Sequence, residues 1–298
     1  MKLTIGSRGS QLALWQARHI AGLLNDAGIE TKISIIRTTG DHLQTAALMQ
    51  AGGKGLFTKE IEDALLAGTI DLAVHSLKDL PTELPPGLVL AAIPKREDPR
   101  DALLGRRLAE IPKNASVATS SGRRAAQLRF ARPDLRIEPV RGNIDTRLRK
   151  LKEGQFDAML LAAAGLRRLG LENEIAEILS ADIMCPAAGQ GALAIETRRA
   201  DDAFSICRQL NHSPSEQAVV CERATLGALG GGCQLPLGAY AAIENSRIHL
   251  TAVVLAPDGS KRLLTHAEGS SESCEEVGGR AAADLLAQGA ADLLAGVA

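Results

Sequence analysis

The chain has 298 residues, which is too long for one ordinary core and predicts two or three domains. Aromatic residues make up only 2% of it, so its cores must be built from alanine, leucine, isoleucine and valine. The formal net charge of −1 argues against general nucleic-acid binding, which needs a basic surface, and no segment has the apolar length of a membrane span.

The five cysteines are scattered along the chain, and they are Cys185, Cys207, Cys221, Cys233 and Cys274. Their number is odd and no two form a CxxC pair, so neither a disulfide framework nor a zinc ribbon is indicated, and we predict no metal site. The N-terminal residues lack the apolar region of a signal peptide. We therefore expect a protein of the reducing cytoplasm.

Strands and helices alternate over the first hundred residues, which predicts an α/β domain. The pattern comprises strands at Lys2–Ile5, Thr31–Arg37, 70–76 and Leu88–Ile93, and helices after Ser10 and at Lys59–Ala67. Ser10 is a plausible N-cap, which places Arg8 in a strand-to-helix loop where backbone N–H groups favour an anion. Taken singly, an exposed loop arginine is the more common interpretation of Arg8.

The segment 42–57 has little periodicity and ends in Ala51-Gly-Gly-Lys-Gly-Leu-Phe57. Three glycines around Lys54 predict a loop that can close over a ligand. The spacing does not match a phosphate-binding GxxxxGK[ST] motif.

The polar end of the strand at 70–76 is the most informative stretch, because His75, Ser76, Lys78 and Asp79 follow an apolar run directly. Ligands of open α/β sheets bind outside the carboxyl ends of strands, and this is such an end. The alternative is a strand end with solvated charges.

A second α/β unit follows a charged, proline-flanked connector at 94–101, which we interpret as a domain boundary. In this unit, several arginines fall near strand ends or helix starts. With Arg8 they form the set Arg8, Arg123, Arg124, Arg141, Arg147 and Arg168. Together they favour a polyanionic ligand in a cleft. The alternative, that half of them pair with surface carboxylates, stays open.

The turn at 184–192 is interpreted as a hinge back to the first unit, since its Gly189-Gln-Gly191 lacks the strand and helix of a dinucleotide loop. Ser213-Pro-Ser-Glu216 predicts a capping box that opens a helix running to about Leu229. Gly230-Gly-Gly-Cys233 follows, and three glycines leave Cys233 sterically open. Antiparallel strands and a C-terminal helix over 273–294 complete a small α+β domain.

The sequence resembles the porphobilinogen deaminase (hydroxymethylbilane synthase) family along nearly its whole length. The segments that carry the resemblance are Ser7–Gln16, Gly52–Phe57, Val74–Pro81, Lys95–Asp101, Thr119–Arg124, Val140–Asn143, Ala164–Arg168, Gly189–Gly191 and Gly231–Pro236. One departure is visible in the 42–57 loop, where some relatives carry an acidic and a basic residue and this chain has Thr45 and Gln50.

The resemblance implies two α/β domains like those of periplasmic binding proteins, with a small C-terminal α+β domain. We expect domain 1 at 1–94 and 191–209, domain 2 at 95–190 and domain 3 at 213–298. The implied enzyme is a transferase that joins four porphobilinogen molecules head to tail into hydroxymethylbilane, with loss of ammonia. A monomer is expected, without nucleic-acid or membrane partners.

The resemblance also assigns roles to individual residues. A dipyrromethane cofactor would be linked through a thioether to Cys233, and Asp79 would be the catalytic carboxylate at the pyrrole nitrogens. Further cofactor contacts would come from Lys78, Ser121, Arg123, Arg124 and Arg147. Substrate contacts would come from Arg8, Ser10, Arg141, Arg168 and Gln190, and Lys54 and Phe57 would belong to the closing loop.

Two other interpretations are weaker. A non-enzymatic module that binds a small anion would explain the two α/β units, but it does not explain a third domain with a glycine-exposed cysteine. An α/β protein with scattered arginines and no special site leaves the Gly-Gly-Gly-Cys233 sequence unexplained.

Overall fold

The computed structural model describes residues 2–39, 58–231 and 235–295. Contacts divide the chain into two units: Met1–Arg96 with Ala192–Glu216, and Glu97–Gly191 with Gln217–Ala298. The finer division into three domains, with the boundaries given above, stays a prediction.

The first unit is built on a five-stranded sheet in the order β2-β1-β3-β10-β4. Its strands are β1 (Lys2–Ser7), β2 (Glu30–Ile35), β3 (Leu72–Ser76), β4 (Leu88–Ala92) and β10 (Leu193–Arg198). Strand β1 pairs in parallel with β2 and β3, whereas β10 runs antiparallel to β3 and β4. Strand β10 therefore enters the sheet from the opposite direction, after the chain has passed through the second unit.

Helices cover both faces of this sheet, and they are α1 (Gln11–Asp26), α2 (Lys59–Leu66) and α6 (Asp202–Arg208). Helix α1 packs Ile20 and Leu24 against Leu72 and Val74 of β3. Helix α2 packs Ile61 and Leu65 against Ala73, on the opposite face of the same strand. Strand β3 is therefore buried on both sides, which accounts for its continuous apolar run.

The second unit contains a sheet of the same pattern, in the order β7-β6-β8-β5-β9. Its strands are β5 (Asp101–Leu104), β6 (Ser116–Ala118), β7 (Arg136–Glu138), β8 (Ala158–Ala162) and β9 (Ile175–Ile178). Its helices are α3 (Gly122–Ala131), α4 (Ile144–Lys152) and α5 (Ala163–Arg168). Here β6 is parallel to β7 and β8, and β5 is the antiparallel strand.

The C-terminal part forms a three-stranded antiparallel sheet with helices. It comprises α7 (Ser213–Ala228), β11 (Leu237–Glu244), β12 (Arg247–Leu255), β13 (Arg262–Ser270), α8 (Cys274–Ala287) and α9 (Ala290–Ala295). With this small sheet the predicted fold class, two α/β domains and a C-terminal α+β domain, is confirmed. In the described part of the chain, no helix is long and apolar enough to cross a membrane.

The connector predicted at 94–101 contains the division between the two units, after Arg96, but its last residue, Asp101, begins β5 and is completely buried. Two other local predictions were wrong. Ser213 is not the N-cap, because α7 already begins at Ser213; the His212 Nδ1 accepts the N–H of Ser215 at 3.3 Å, and the Glu216 carboxylate binds Arg208 and Asn211. The C-terminal helix is interrupted at Gly289, whose φ of 96° ends α8 and turns the chain into α9.

Helix α8 approaches α7 so closely that a glycine is required at the crossing. A Cβ on Gly278 would overlap the carbonyl oxygen of Cys221 and lie 2.8 Å from the Cβ of Ala224. The next residue, Gly279, has nothing within 4 Å of its Cβ position. Two adjacent glycines of one helix therefore stand in opposite packing environments.

We expect Gly278→Ala to destabilise the protein by about 2 kcal/mol, because the added methyl group forces the two helices apart. Gly279→Ala is the matched control and should raise stability by about 0.5–1 kcal/mol through helix propensity alone. Urea unfolding midpoints of the two variants and the wild type measure both effects. Equal destabilisation by the two substitutions would contradict the close approach.

Candidate active site

A pocket in the first unit collects polar side chains at the carboxyl ends of β1 and β3. It is partly open to solvent, and its empty space, including the open part, is about 520 Å³. Its lining comprises Arg8, Ser10, Leu12, Ala13, Gln16, Thr58, Ile61, Val74, His75, Ser76 and Asp79. The structure thus brings together Arg8, Ser10 and Asp79, three residues that the sequence placed in the site from separate segments.

The start of α1 positions one wall of the pocket. Ser10 has extended backbone angles, and its Oγ accepts the N–H of Ala13 at 3.4 Å, so the predicted N-cap is confirmed. The cap ends the loop that carries Arg8. Arg8 therefore lies beside the first turn of α1, where the positive end of the helix dipole favours an anionic ligand.

The end of β3 positions the opposite wall. After Ser76 the chain forms a short 3-10 turn, Leu77–Asp79, whose Leu77 is fully buried. The N–H of Leu77 donates to the carbonyl of Ala192 at 3.0 Å, and Gln16 Nε2 donates to Ser76 Oγ at 2.8 Å. These contacts fix the backbone while Asp79 remains exposed, with its carboxylate accessible to a ligand. Lys78, half-buried, precedes it in the same turn.

A buried ionic network lies in the second unit, where the carboxylate of Asp101 on β5 receives two arginines of α3. Arg123 Nη1 donates to Asp101 Oδ2 at 2.7 Å, and Arg124 Nε donates to Oδ1 at 2.9 Å. The amide of Gln190 donates to the same Oδ1 at 2.9 Å and to the carbonyl of Pro99 at 2.7 Å. All four side chains are less than a tenth exposed.

Electrostatics explain why Asp101 stays ionised at this depth. Burial alone would raise the pKa of its carboxyl, but Arg123 and Arg124 outweigh it and hold that pKa well below its usual range. The network thus places two guanidinium groups against one carboxylate within a largely dehydrated site.

Arg147 of α4 adds a further cation to this region. Burial lowers the pKa of the Arg147 guanidinium, and the nearby charge of Arg124 lowers it further. Its Nε donates to the carbonyl of Gly142 at 2.8 Å. The positive charges of Arg124 and Arg147 repel each other, and an anion placed between them would remove that repulsion. This cluster therefore favours an anionic ligand.

The remaining predicted residues of the second unit have identifiable local roles. Ser121 caps α3, since its Oγ accepts the N–H of Arg124 at 3.4 Å. Arg168 Nη2 donates to the carbonyl of Gly191 at 2.6 Å, and burial lowers the pKa of its guanidinium to about 10. Arg141, half-buried, lies in the loop that precedes α4.

Two models of one protein family match the chain. "Porphobilinogen deaminase, dipyromethane cofactor binding domain" matches residues 3–205, and "Porphobilinogen deaminase, C-terminal domain" matches residues 216–287. The chain belongs to the porphobilinogen deaminase family.

Curated relatives agree with this assignment. Porphobilinogen deaminase of Thiobacillus denitrificans is 51% identical over 98% of this chain and 97% of the relative. The protein of that name from Syntrophomonas wolfei is 47% identical over 98% and 97%. Among solved structures, a periplasmic substrate-binding protein of an ABC transporter from Coxiella burnetii aligns with a TM-score of 0.43 and 15% identity, over 74% of this chain and 96% of that one.

Several predicted residues of this family member lie outside the described residues, namely Lys54, Phe57 and Cys233. Three of the other cysteines are buried, and burial raises the pKa of the thiols of Cys185, Cys207 and Cys221 to about 12. Such thiols are poor nucleophiles at neutral pH, because the thiolate is the reactive form. Cys274 is partly exposed.

Sequence reasoning missed three groups that the structure places in or beside these sites. Asp101 is the last residue of the segment predicted as a charged connector, whereas the structure places it on a buried strand. Gln16 reaches the pocket only because α1 packs across β3. The His75–Glu196 pair joins residues 121 positions apart, so no local signal could reveal it. In the described ranges, no three histidine, cysteine or acidic side chains form a metal cluster.

We expect Asp101→Asn to destabilise the protein by about 3 kcal/mol or more, because it leaves two buried guanidinium groups without their counter-charge. The control is Asp134→Asn, which removes a carboxylate from a partly exposed bidentate pair with Arg132 and should have a much smaller effect. Urea unfolding at neutral pH compares them.

The same carboxylate predicts a pH dependence. Its pKa is lowered in the folded state, so its contribution is complete above the unfolded-state pKa of about 4 and is lost as the pH falls further. The stability difference between wild type and Asp101→Asn should therefore shrink on acidification. A constant difference between pH 7 and pH 3 would contradict the assignment.

Proposed function

We propose that this chain is a transferase that joins four porphobilinogen molecules head to tail, with release of ammonia, to give hydroxymethylbilane in tetrapyrrole biosynthesis. The observation that carries the proposal is its membership of the porphobilinogen deaminase family over nearly the full length of the chain. The pocket and the arginine network support it, because the substrate is a small pyrrole with two carboxylates.

The cofactor that the family implies is dipyrromethane, and the donor set of the second unit fits it. A pair of pyrrole rings with acetate and propionate groups needs several cationic, fork-shaped donors, and Arg123, Arg124 and Arg147 provide them. Asp101 and Gln190 preorganise the first two guanidinium groups before any ligand binds. When bound, the cofactor supplies the primer ring to which the first substrate is joined. Ser121 and Lys78 complete the proposed contacts.

Asp79 is the proposed catalytic carboxylate. Loss of ammonia from the aminomethyl group leaves a positive charge shared by the substrate's ring nitrogen, and a nearby carboxylate stabilises that charge. Asp79 suits this role because it is exposed in the pocket wall while the backbone on either side is held by buried Leu77 and Leu80. The same carboxylate can assist the transfer of a proton to the departing amine.

The substrate carboxylates are the proposed ligands of a second set of residues. Arg8 and Ser10 line the pocket with Asp79, so they can hold the ring whose nitrogen faces that carboxylate. Arg141, Arg168 and Gln190 belong to the second unit, and we assign them to the growing chain. We also propose that the segment containing Lys54 and Phe57 closes over the bound substrate.

Cys233 is the proposed attachment point of the cofactor. Support comes from the three preceding glycines and from the raised pKa of the three buried thiols, which disfavours them as nucleophiles. We further propose a monomer in the cytoplasm, acting without nucleic acid or membrane. The four described cysteines are free thiols, which fits a reducing compartment.

We expect Asp79→Asn to lower the rate of bilane formation by at least about 100-fold while the protein folds and carries its cofactor, since a neutral amide cannot balance the positive charge. The control is Asp63→Asn, which removes a carboxylate from the exposed face of α2 and should leave the rate unchanged. Rates are measured by ammonia release from porphobilinogen. Undiminished turnover in Asp79→Asn would remove this residue from the mechanism.

We expect Cys233→Ser to purify without the covalent cofactor, because an alcohol does not replace the thiolate as nucleophile. Intact mass of the denatured protein is the measurement, and wild type should exceed the bare chain by two linked pyrrole units. Cys274→Ser is the matched control and should keep that excess. A loaded Cys233→Ser protein would refute the attachment point.

A further inference from the structure

Three buried ionisable side chains lie in or near the wall of the pocket of the first unit, and the proposed mechanism uses none of them. They are His75 of β3, Glu196 of β10 and Glu62 of α2. In the antiparallel pair, Glu196 lies opposite Ala73, so His75 is its diagonal neighbour on the same face of the sheet. His75 Nε2 is 3.0 Å from Glu196 Oε2.

The surroundings of this cluster are apolar. Ile61 and Leu65 of α2 pack on Ala73 of β3 in the same layer, and His75, Glu196 and Glu62 are 8%, 0% and 7% exposed. Glu196 Oε1 and Glu62 Oε1 have no hydrogen-bond partner within the described part of the chain. Buried charges with incomplete hydrogen bonding cost more than apolar side chains of similar volume. Stability therefore does not explain the cluster.

His75 connects this cluster to the proposed active site, because it lines the same pocket as Ser76 and Asp79. It is the penultimate residue of β3, just before the turn that carries Asp79. A buried carboxylate accepts but does not donate, so Glu196 places the ring proton of neutral His75 on Nε2. Nδ1 is then the basic nitrogen. Carboxylates orient the catalytic histidine of serine hydrolases in the same way.

The charges around His75 come from four elements. Glu196 of β10 contacts the ring directly, and Glu62 approaches from α2. Burial raises the pKa of the Glu62 carboxyl, and the Glu196 carboxylate raises it further. Asp79 and Arg8 lie in the pocket wall. Of these groups, the Glu196 carboxylate is the one in direct contact with the ring.

We propose that His75, oriented by Glu196, is a further catalytic residue that accepts the proton lost from the ring carbon at each condensation. The inference rests on the proposed function. The C–N bond of the incoming substrate breaks and ammonia leaves with the electron pair, and a C–C bond then forms to the terminal ring. The C–H bond at that ring carbon breaks, its electrons restore the aromatic ring, and the proton forms an N–H bond at Nδ1 of His75.

Asp79 and His75 thus have separate tasks. Asp79 balances the positive charge on the ring nitrogens, whereas His75 removes the proton that would otherwise keep the newly joined ring charged. The proton then passes from His75 to ammonia or solvent, which restores the base for the next ring. Glu196 is a positioning residue, because it acts through the imidazole.

The test uses purified holoenzyme and porphobilinogen deuterated at its free ring carbon. In His75→Gln we expect kcat to fall about 100-fold with little change in KM, because a general base is lost. Proton removal then limits the rate, so a primary deuterium isotope effect should appear that wild type shows weakly or not at all. The acid limb of the pH profile of kcat/KM should also disappear. His19→Gln, an exposed histidine of the same unit that stacks on Trp15, is the matched control and should behave as wild type.

Glu196→Gln provides a second test, which combines a spectroscopic measurement without turnover and a kinetic measurement. In ¹⁵N spectra of the histidine-labelled holoenzyme, the wild-type His75 ring should be the Nε2–H tautomer, and Glu196→Gln should shift it towards a mixture. Its kcat should fall about tenfold or more, with the same isotope effect. If His75→Gln does not fold, these two measurements decide the proposal.

The outcomes separate this inference from the proposed function. Wild type that releases no ammonia from porphobilinogen contradicts the function itself. Wild type that forms bilane, with a His75→Gln variant of equal rate, overturns only the role of His75. A slow His75→Gln variant with no isotope effect and an unchanged pH profile also overturns it, since that is the result of a purely structural histidine.

Discussion

The structure of the second unit depends on the ion pairs between the buried carboxylate of Asp101 and two arginines. This carboxylate lies on β5, at the point where the chain enters this sheet, and it holds Arg123 and Arg124 of α3 together with the amide of Gln190. The single carboxylate between two guanidinium groups keeps both of them in fixed positions. The network therefore stabilises the fold and prepares an anion site with the same bonds, and Arg147 extends that site.

In the first unit, the alternation of side chains along β3 produces a comparable division of labour. Ser76 points toward α1 and is held by Gln16, whereas His75 is held by Glu196 on the face that α2 covers. The strand then ends in a turn that leaves Asp79 exposed. One short segment thus supplies a fixed backbone, a buried proton-accepting pair and an accessible carboxylate, because successive residues of a strand face opposite sides.

Local charge, and not overall charge, governs the proposed chemistry. The chain has a net charge of −1, yet five of the six candidate arginines, all except Arg168, lie where strands end or helices begin. There they are partly dehydrated, and their attraction for carboxylates is stronger than it would be at an exposed surface. A substrate that carries two carboxylates on each ring suits this distribution. The family assignment and the physical chemistry of the site therefore point to the same class of ligand.

The sequence by itself determined the fold class, the family and most of the candidate residues, because these depend on local patterns. Alternating strands and helices are visible in apolar periodicity, Ser10 is recognisable as a cap, and Arg123, Arg124 and Asp79 lie in contiguous motifs. Only the tertiary structure decided the partners of these residues. Asp101 ends the segment predicted as a connector, whereas the sheet buries it, and Glu196 meets His75 through the pairing of β10 with β3. Contacts between distant segments depend on strand order and register, which are set by the packing of the whole unit and leave no trace in any one segment.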